Sequence, residues 1–494
     1  MYIDRNTISF RQLVPREYQA YSPRRLKNHP VNGLDTETYH GYAKIITDSY
    51  GECLDVDGID SLLKFLTTKR FRSHHNFFYN IRFDFQAIVK YLPKKELTEL
   101  YDKGKVEFGD YKISYIPRKM VSIIHSQHVY KYYDLYPFFE MSLAKAAKTL
   151  LGATKNEEGI DAARLNVDID YWNDHYQDIV KYCVSDSVLT RRLGVLLQDM
   201  YKKALGFPPQ RYVSQANISK EYFRRVCDIP DIRKISKRVK RYAFNAYHGG
   251  RFEILKKGWF DEVTLIDINS AYPYYIANLT QCTEGEWKKV REVDNDALHG
   301  YYLCKVDVPA YILPPFMVNV GSTLKIFPRG EFGCYLTKNE VEKYRKYCDI
   351  KVVRGYELKG KDKTKPFEEA IEKLYALKKA TPKTDFRYKV YKKTANAFYG
   401  TLYEKIFKDG KWIEGKLFNP LYASEICGDT RVQVYEEAMK YGDRLIGFAT
   451  DSVIMEGNVE MNNHKELGKF DVDKIGGGCV LQSGIYEIAG ECKT

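Results

Sequence analysis

The chain is 494 residues long, 44% hydrophobic and 29% charged, with a formal net charge of +13. This composition excludes a disordered chain, and the length exceeds one ordinary core, so several packed regions are expected. No apolar run nears the roughly 20 residues that span a bilayer, and the opening MYIDRNTISFRQL has no signal-peptide core. The ten cysteines are scattered singly, which speaks against a zinc ribbon or a disulfide framework and for reduced thiols. Positive charge attracts phosphate backbones and the 42 tyrosines offer stacking faces for bases, although a basic balance also serves solubility alone.

In chain order, the first third reads as mixed α/β. Val31 to Leu34 is a short segment, apolar at both ends, that runs into acidic residues. Helical character is predicted for Ser142 to Leu151 and for Tyr176 to Leu197. The pattern weakens from Pro208 to Ser219, before the basic stretch Arg233 to Arg241, and a domain junction is expected there. Beyond it come a strand at Val263 to Ile268 and alternating segments at Cys304 to Leu313 and Lys351 to Leu358. Helices are predicted for Lys365 to Ala380, Thr384 to Tyr399 and Leu421 to Lys440. A hairpin signal lies at Lys408-Asp409-Gly410-Lys411. Arg444 to Met455 reads as two strands joined by a tight acidic turn.

Three acidic sites fall in the first third: Asp35 and Glu37, then Asp84, then Tyr182 with Asp186. On a strand, residues i and i+2 face the same way, so Asp35 and Glu37 can hold one ion. On a helix Tyr182 and Asp186 lie ~400° apart and share a face, so a tyrosine hydroxyl can orient a water beside a carboxylate. Carboxylates gathered without cations repel by about 4 kcal/mol per pair at ~4 Å and an effective dielectric of ~20. Such a cluster therefore implies divalent cations, which in pairs stabilise the attacking and leaving oxygens of phosphodiester hydrolysis. Singly, each carboxylate is more often a surface charge; the order of all three carries the signal.

A second constellation lies downstream. Asp267 ends an apolar strand in Asp267-Ile268-Asn269-Ser270-Ala271-Tyr272-Pro273, and Asp451 occupies the turn Ala449-Thr450-Asp451-Ser452. Two strands each presenting a carboxylate can clamp a pair of Mg²⁺ ions. Between them, Lys392, Asn396 and Tyr399 fall within ~60° of one another on a helix. The lysine can neutralise a triphosphate, and the amide and ring can brace a base pair. The bland alternatives are turn-forming aspartates and a solvated helix face, and neither explains why the three recur in this order.

These residues resemble the motifs of family B DNA polymerases, whose motifs A, B and C read D-x-x-S-L-Y-P, K-x-x-x-N-S-x-Y-G and D-T-D, preceded by three exonuclease motifs. The similarity points to the protein-primed branch of phages and linear plasmids. Tyr247-His248-Gly249-Gly250 fits its Y-x-G-G link, Ser142-Leu143 fits its S/T-L-x-x-h motif, and the likeness spans Asp35 to about Tyr486. The resemblance implies an α/β and α+β multidomain chain. Its first part is an RNase H-like 3′→5′ exonuclease domain at 1–205. A right-hand polymerase domain follows at 206–494, with palm at 206–278 and 400–480, an insertion at 279–361, fingers at 362–399 and a thumb remnant at 481–494.

It further implies two Mg²⁺ or Mn²⁺ ions per active site. Asp267 and Asp451, helped by the Ile268 carbonyl, would hold those of the polymerase; Asp35, Glu37, Asp84 and Asp186 would hold those of the exonuclease, with Tyr182 positioning water. Tyr272 would stack under the incoming sugar and exclude a ribose 2′-hydroxyl. Lys392 would contact the triphosphate together with Lys378 or Lys379, while Asn396 and Tyr399 check the nascent pair. Thr38, Asn80, Phe83, Ser142 and Leu143 would bind the primer end in the exonuclease, and Tyr247, Gly249, Gly250 and Tyr486 would contact DNA elsewhere. The implied partners are a DNA primer-template, dNTPs and, as one source of primer, a terminal protein. A cytoplasmic monomer in the host of a virus or linear plasmid is expected.

The pattern breaks in places. Ala449 stands where motif C has its first acid, so activity with altered metal dependence is expected. Ala271 and Ala397 replace a leucine and a serine as packing changes. The branch's exonuclease lysine is missing from the best local match, where Asn166 stands, and Lys155 is a remote substitute. The second palm insertion has room only for a short hairpin between Glu404 and Asn419, so weak strand displacement and distributive synthesis are expected. Gly484-Ile485-Tyr486 replaces K-x-Y, and little sequence remains for a thumb, so either a minimal thumb or a fragment of a longer polymerase is expected. Two other readings compete: a nuclease with a degenerate polymerase half, and a catalytically dead nucleic-acid-binding replication factor.

Overall fold

The computed structural model of the protein describes residues 8–16, 25–155, 160–320, 324–461 and 465–493. The first residues of MYIDRNTISFRQL and positions 321–323 of the expected insertion lie outside the described residues. The chain forms two compact units: one is Pro23–Glu221, the other joins Met1–Ser22 to Tyr222–Thr494. They divide beyond the expected 205/206 boundary, which falls at the end of a long helix, and the first residues go with the second unit. All ten cysteines are thiols, and among the described residues no helix is long and apolar enough to cross a membrane.

In the first unit, strand β1 (Val31–Tyr39) is buried on both faces as far as Leu34, as a central strand must be. Its neighbours are β2 (Tyr42–Asp48), followed by β3 (Cys53–Asp55), and β4 (His75–Phe78). The strands β5 (Lys105–Phe108), β6 (Tyr111–Ile116), β7 (Met120–His125) and β8 (His128–Asp134) complete an eight-stranded sheet ordered β3-β2-β1-β4-β8-β7-β6-β5. β1, β4 and β8 run parallel, and the outer strands are antiparallel meanders. Helix α1 (Ile81–Val89) follows β4 through Asn80, whose left-handed backbone (φ 67°) suits asparagine. The long helix α2 (Ile169–Leu205) crosses β1 at very short range. A Cβ on Gly33 would lie 2.1 Å from the Ser187 carbonyl oxygen, and one on Gly194 2.8 Å from Val31. Gly33 thus lets strand and helix touch backbone to backbone, and Gly194 leaves room for the Val31 and Phe77 side chains.

In the second unit, α3 (Lys237–Ala246) leads into β9 (Arg251–Ile254) and β10 (Gly258–Ile268), then α4 (Ala271–Asn278). The expected insertion is a separate four-stranded sheet of β11 (Glu286–Val290), β12 (His299–Val308), β13 (Gly330–Thr337) and β14 (Asp349–Lys359), ordered β11-β14-β12-β13. Its face packs Tyr302, Cys304 and Leu336 with helix α5 (Lys338–Tyr344). Two helices follow, α6 (Glu368–Lys379) and α7 (Phe386–Leu402), and the short hairpin β15 (Lys405–Lys408) and β16 (Lys411–Glu414). That hairpin gains a parallel third strand, Leu13–Val14, from the start of the chain.

Helix α8 (Pro420–Ala438) then supports a seven-stranded sheet. This is completed by β17 (Leu445–Thr450), β18 (Ser452–Glu456), β19 (Phe470–Gln482), β20 (Ile485–Ile488) and β21 (Glu491–Lys493), in the order β9-β17-β18-β10-β19-β20-β21. The segment read as a thumb remnant, 481–494, is therefore not a separate body in its described part: β20 and β21 extend the sheet that carries Asp267. Apolar residues of that hairpin, Tyr486 and Ile488, give it a reason to stay on the sheet, where they join Val263, Leu265 and Ala449 in one buried cluster.

Two candidate active sites

In the first unit four carboxylates converge. Alternation along β1 turns Asp35 and Glu37 to one side, where one ligand atom of each lies within 4.8 Å of the Cys183 sulfur of α2. Asp84 of α1 is held by Thr36, whose backbone N–H and hydroxyl donate to its Oδ1 at 3.1 and 2.8 Å. Burial and the neighbouring Asp84, Glu37 and Asp186 push Asp35 well above the carboxylate range. Burial and Asp186 raise Glu37 to about 8, and burial raises Asp84 to about 7. An all-oxygen donor set of acids that resist ionisation together suits a hard divalent cation, whose charge removes their mutual repulsion.

Lys155, the remote substitute for the lysine missing from the local match, lies beside these acids. Lys155 Nζ lies 2.9 Å from Asp186 Oδ2 and 4.7 Å from the centroid of the Tyr182 ring. Burial opposes its charge, but Asp186 and Tyr182 outweigh that and hold it above the usual lysine range. Tyr182 is itself raised, to about 12, chiefly by burial. Asn166, at the position matched to that lysine, has a structural task instead: its side-chain oxygen accepts from Gly41 N at 2.8 Å and from Thr38 Oγ1 at 3.3 Å, closing the β1–β2 turn.

Of the residues expected to bind a primer end, Thr38 is buried by this bond. Asn80 and Phe83 are open, Phe83 being 56% exposed one residue before Asp84. Ser142 caps the short helix Leu143–Ala146, its Oγ accepting from Lys145 N at 3.3 Å, and Leu143 is half-buried.

In the second unit Asp267 ends β10 and stands opposite Ser452 of β18. The Ser452 hydroxyl donates to Asp267 Oδ1 at 2.9 Å, and Ile268 N donates to the Asp451 carbonyl at 3.0 Å, so the two acidic turns are stitched side by side. Burial, then Asp451, lifts Asp267 to about 7, while Lys392 opposes the rise. Asp451 is raised by burial and eased by Lys493 and Lys392. Both turns are strained: Ser270 and Thr450 hold left-handed backbones, φ 56° and 67°, at a cost of about 1–3 kcal/mol each. Lys378 donates to Ser270 Oγ at 2.7 Å and to Asn269 Oδ1 at 3.2 Å, which holds the first turn. A Cβ on Gly250 would meet the Thr450 methyl at 2.6 Å, so the second turn requires glycine there.

Lys378, Lys392, Tyr391 and Asn396 line one concavity with Ser270. Burial and the nearby Lys392 lower Lys378 to about 8, the state a bound anion would relieve. Lys379 is exposed and lies outside that lining. Tyr272 stacks on Tyr399, centroids 4.5 Å apart, and the Tyr399 hydroxyl bonds that of Tyr247 at 2.6 Å. The loop Tyr247–Gly250 is anchored from below by Arg431, which donates to the carbonyls of His248 and Gly249.

One expectation is corrected here. Tyr486, read as a DNA contact, is only 5% exposed, its ring being an apolar core element. Ala449, which stands at the first position of motif C, is buried in that same cluster. Sequence reasoning also missed Asp473 of β19, whose charge raises Asp267, and Cys183 beside Asp35. The signal for Asp473 is the pattern Asp471-Val472-Asp473, which puts two acids on one face of a strand.

The family described as DNA polymerase type B, organellar and viral, matches residues 155–414, over half of the chain. The chain is 26% identical over 408 residues to the DNA polymerase of Acidianus bottle-shaped virus (isolate Italy/Pozzuoli), a match covering 76% of this chain and 58% of that one. It is 24% identical over 239 residues to a probable DNA polymerase of Neurospora intermedia, covering 45% and 24%. The chain thus spans well under two thirds of these relatives. Among solved structures, Phi29 DNA polymerase complexed with primer-template DNA and incoming nucleotide substrates matches with a TM-score of 0.67 at 15% identity, over 94% of this chain and 89% of that one. The same enzyme complexed with single-stranded DNA matches at 0.64 and 16%, with the same coverage. At such identity the likeness shows a shared fold.

Proposed function

Because the chain belongs to the type B DNA polymerases of the organellar and viral family, we propose that it extends a DNA primer on a template at the Asp267–Asp451 site. The Asp35–Glu37–Asp84–Asp186 site shortens the 3′ end. The observation that carries this reading is the convergence of Asp267 and Asp451 on adjoining turns, with Lys392 acting on both.

Asp267, Asp451 and the Ile268 carbonyl would hold two Mg²⁺ or Mn²⁺ ions, as would the four acids of the other site; when bound, such ions supply neutralisation of phosphoryl and 3′ oxygens. Lys392 and Lys378 bind the triphosphate of a dNTP. The stacked Tyr272–Tyr399 pair forms the floor under the sugar and leaves no room for a 2′-hydroxyl, and Asn396 rests beside the nascent pair. In the exonuclease, Phe83 and Asn80 receive the frayed end, Tyr182 orients a water and Lys155 stabilises charge on the scissile phosphate. The primer hydroxyl comes from a nucleic-acid 3′ end or a terminal protein, and the setting is the cytoplasm of a virus or plasmid host.

A primer-template incubated with dNTPs and Mg²⁺ tests this directly. Extension is expected. Asp267→Ala should abolish it and spare shortening of single strands, and Asp35→Ala should do the reverse. Shortening without extension by the unaltered chain would leave only the nuclease.

A further inference from the structure

The basic stretch from Arg233 to Arg241 has no part in either proposed reaction, and its second half is the start of α3. This ten-residue helix buries the stripe Val239, Tyr242, Ala243 and Ala246. The Tyr242 ring meets Tyr335 and Tyr356 of the four-stranded sheet edge-on, centroids 5.2 and 4.9 Å apart. Lys237, Arg238 and Arg241 fall on the other side of the helix, within ~100° of one another. Lys237 and Arg238 are exposed, as is Lys234 just before the helix. Asp231, the one acid between positions 231 and 246, is taken by Arg233, and Glu414 lies toward the half-buried Lys240. Among the described residues no carboxylate pairs with Lys234, Lys237, Arg238 or Arg241. Stability alone does not account for these cations. The first turn of a helix carries the positive end of its dipole and favours acids; this one has none, and Lys237 and Arg238 occupy it instead. Like charges on one exposed face also repel one another, and a polyanion relieves both effects.

We propose that the face formed by Lys234, Lys237, Arg238 and Arg241 holds the sugar-phosphate backbone of the single-stranded template beyond the primer end. This rests on the polymerase reading. Helix α3 runs directly into the Tyr247–Gly250 loop, where the Tyr247 hydroxyl bonds that of Tyr399 and Gly250 abuts the Thr450 turn beside Asp451. The cations therefore lie about one helix length from the synthesis acids, ~15 Å, or roughly four nucleotides at ~3.4 Å each. Past the primer end only the template continues. Cations that touch phosphates alone suit a strand whose sequence changes at every step, because such contacts position a strand without reading its bases. A merely solvated surface is the rival, since exposed lysines and arginines commonly serve only that purpose.

The test compares the full chain with a variant carrying Lys237→Gln, Arg238→Gln and Arg241→Gln together. Affinity is measured by fluorescence anisotropy without divalent ions, across a salt series, for primer-templates of one duplex length. Their template overhangs are about two or about ten nucleotides long. On the long overhang the variant should bind about 10-fold more weakly, and its slope of log K against log salt should shrink by about 2, three single-strand phosphates at ~0.7 each. On the short overhang the change should stay under about twofold. The melting temperature should not fall, because no cation of that face supports the helix dipole. Lys237→Arg, Arg238→Lys and Arg241→Lys together keep the charge and should keep the long-overhang affinity. Equal weakening on both overhangs, which marks a duplex contact, overturns the proposal. So does an unaltered slope, which marks a solvated or protein-binding face. If the unaltered chain extends nothing yet the long-overhang loss appears, the strand-binding face stands and the polymerase reading falls; if it extends primers and the variant binds long overhangs normally, the reverse holds.

Discussion

Lys155 and Asp186 meet with side chains 17% and 6% exposed, a partly buried pair in which each charge depends on the other. Removing the lysine strands a buried carboxylate, which is strongly unfavourable unless a proton or cation replaces it. In the proposed exonuclease it also removes the positive charge that would face the phosphate under attack. Lys155→Ala should therefore cut the rate of single-strand shortening by about 10²–10³-fold, the scale of losing one oriented charge-stabilising donor. Primer extension should be unaffected, and Lys155→Arg should retain part of the rate. Rates on a labelled single strand and a primer-template check this; an Ala variant that shortens normally would reduce Lys155 to a salt bridge. The acids of this site were legible in the sequence because strand and helix periods fix which side chains share a face. The lysine was legible only as a remote substitute, Lys155, because it lies outside any regular element, and no period governs how far such a segment carries a side chain.

At the scale of elements, the geometry of the proposed exonuclease site depends on how closely α2 lies on β1. Gly33 and the Ser187 carbonyl are in backbone contact, and neither can rotate away. Gly33→Ala must push the helix off the strand, at a cost of about 1–3 kcal/mol by analogy with overpacked cores. Tyr182 and Asp186 ride on that helix, so they would retreat from Asp35 and Glu37. The expected outcome is a lower melting temperature together with loss of shortening, while extension continues in the other unit; a Gly33→Ala variant with normal shortening would show that the close approach does not set the site. The second half of strand Gly258–Ile268, from Val263 on, and the pair Leu445–Thr450 and Ser452–Glu456 could be read in advance from apolar runs and turns. The parallel pairing of Leu13–Val14 with Trp412 and Ile413 could not, since nothing local encodes a partner some four hundred residues away. The final hairpin was likewise read as a remnant of another body, because its Tyr486 and Ile488 show their purpose only against Val263 and Leu265.

Across the whole molecule, each unit encloses acids that burial and mutual repulsion keep protonated above their ordinary range: Glu37 to about 8 and Asp84 to about 7 in one, Asp267 to about 7 in the other. An acid with a raised folded-state pKa binds more protons folded than unfolded. Its folded state is therefore favoured at low pH, and it loses stability as pH rises from the ordinary carboxylate value through the folded one. Between about pH 5 and 8 both units should weaken when divalent ions are chelated. A net loss of one or two kcal/mol corresponds to roughly 5 °C for bodies of this size. Bound Mg²⁺ or Mn²⁺ takes over the role of the protons, so the ion should restore stability most at pH 8 and least at pH 5. Calorimetry of the full chain at both pH values, with EDTA or with Mg²⁺, measures the effect. Glu37→Gln should flatten the pH response of the exonuclease unit alone, and Asp267→Asn that of the other. If chelated protein melts at the same temperature at both pH values, or Mg²⁺ adds nothing at pH 8, these carboxylates do not form the cation sites on which both proposed reactions depend.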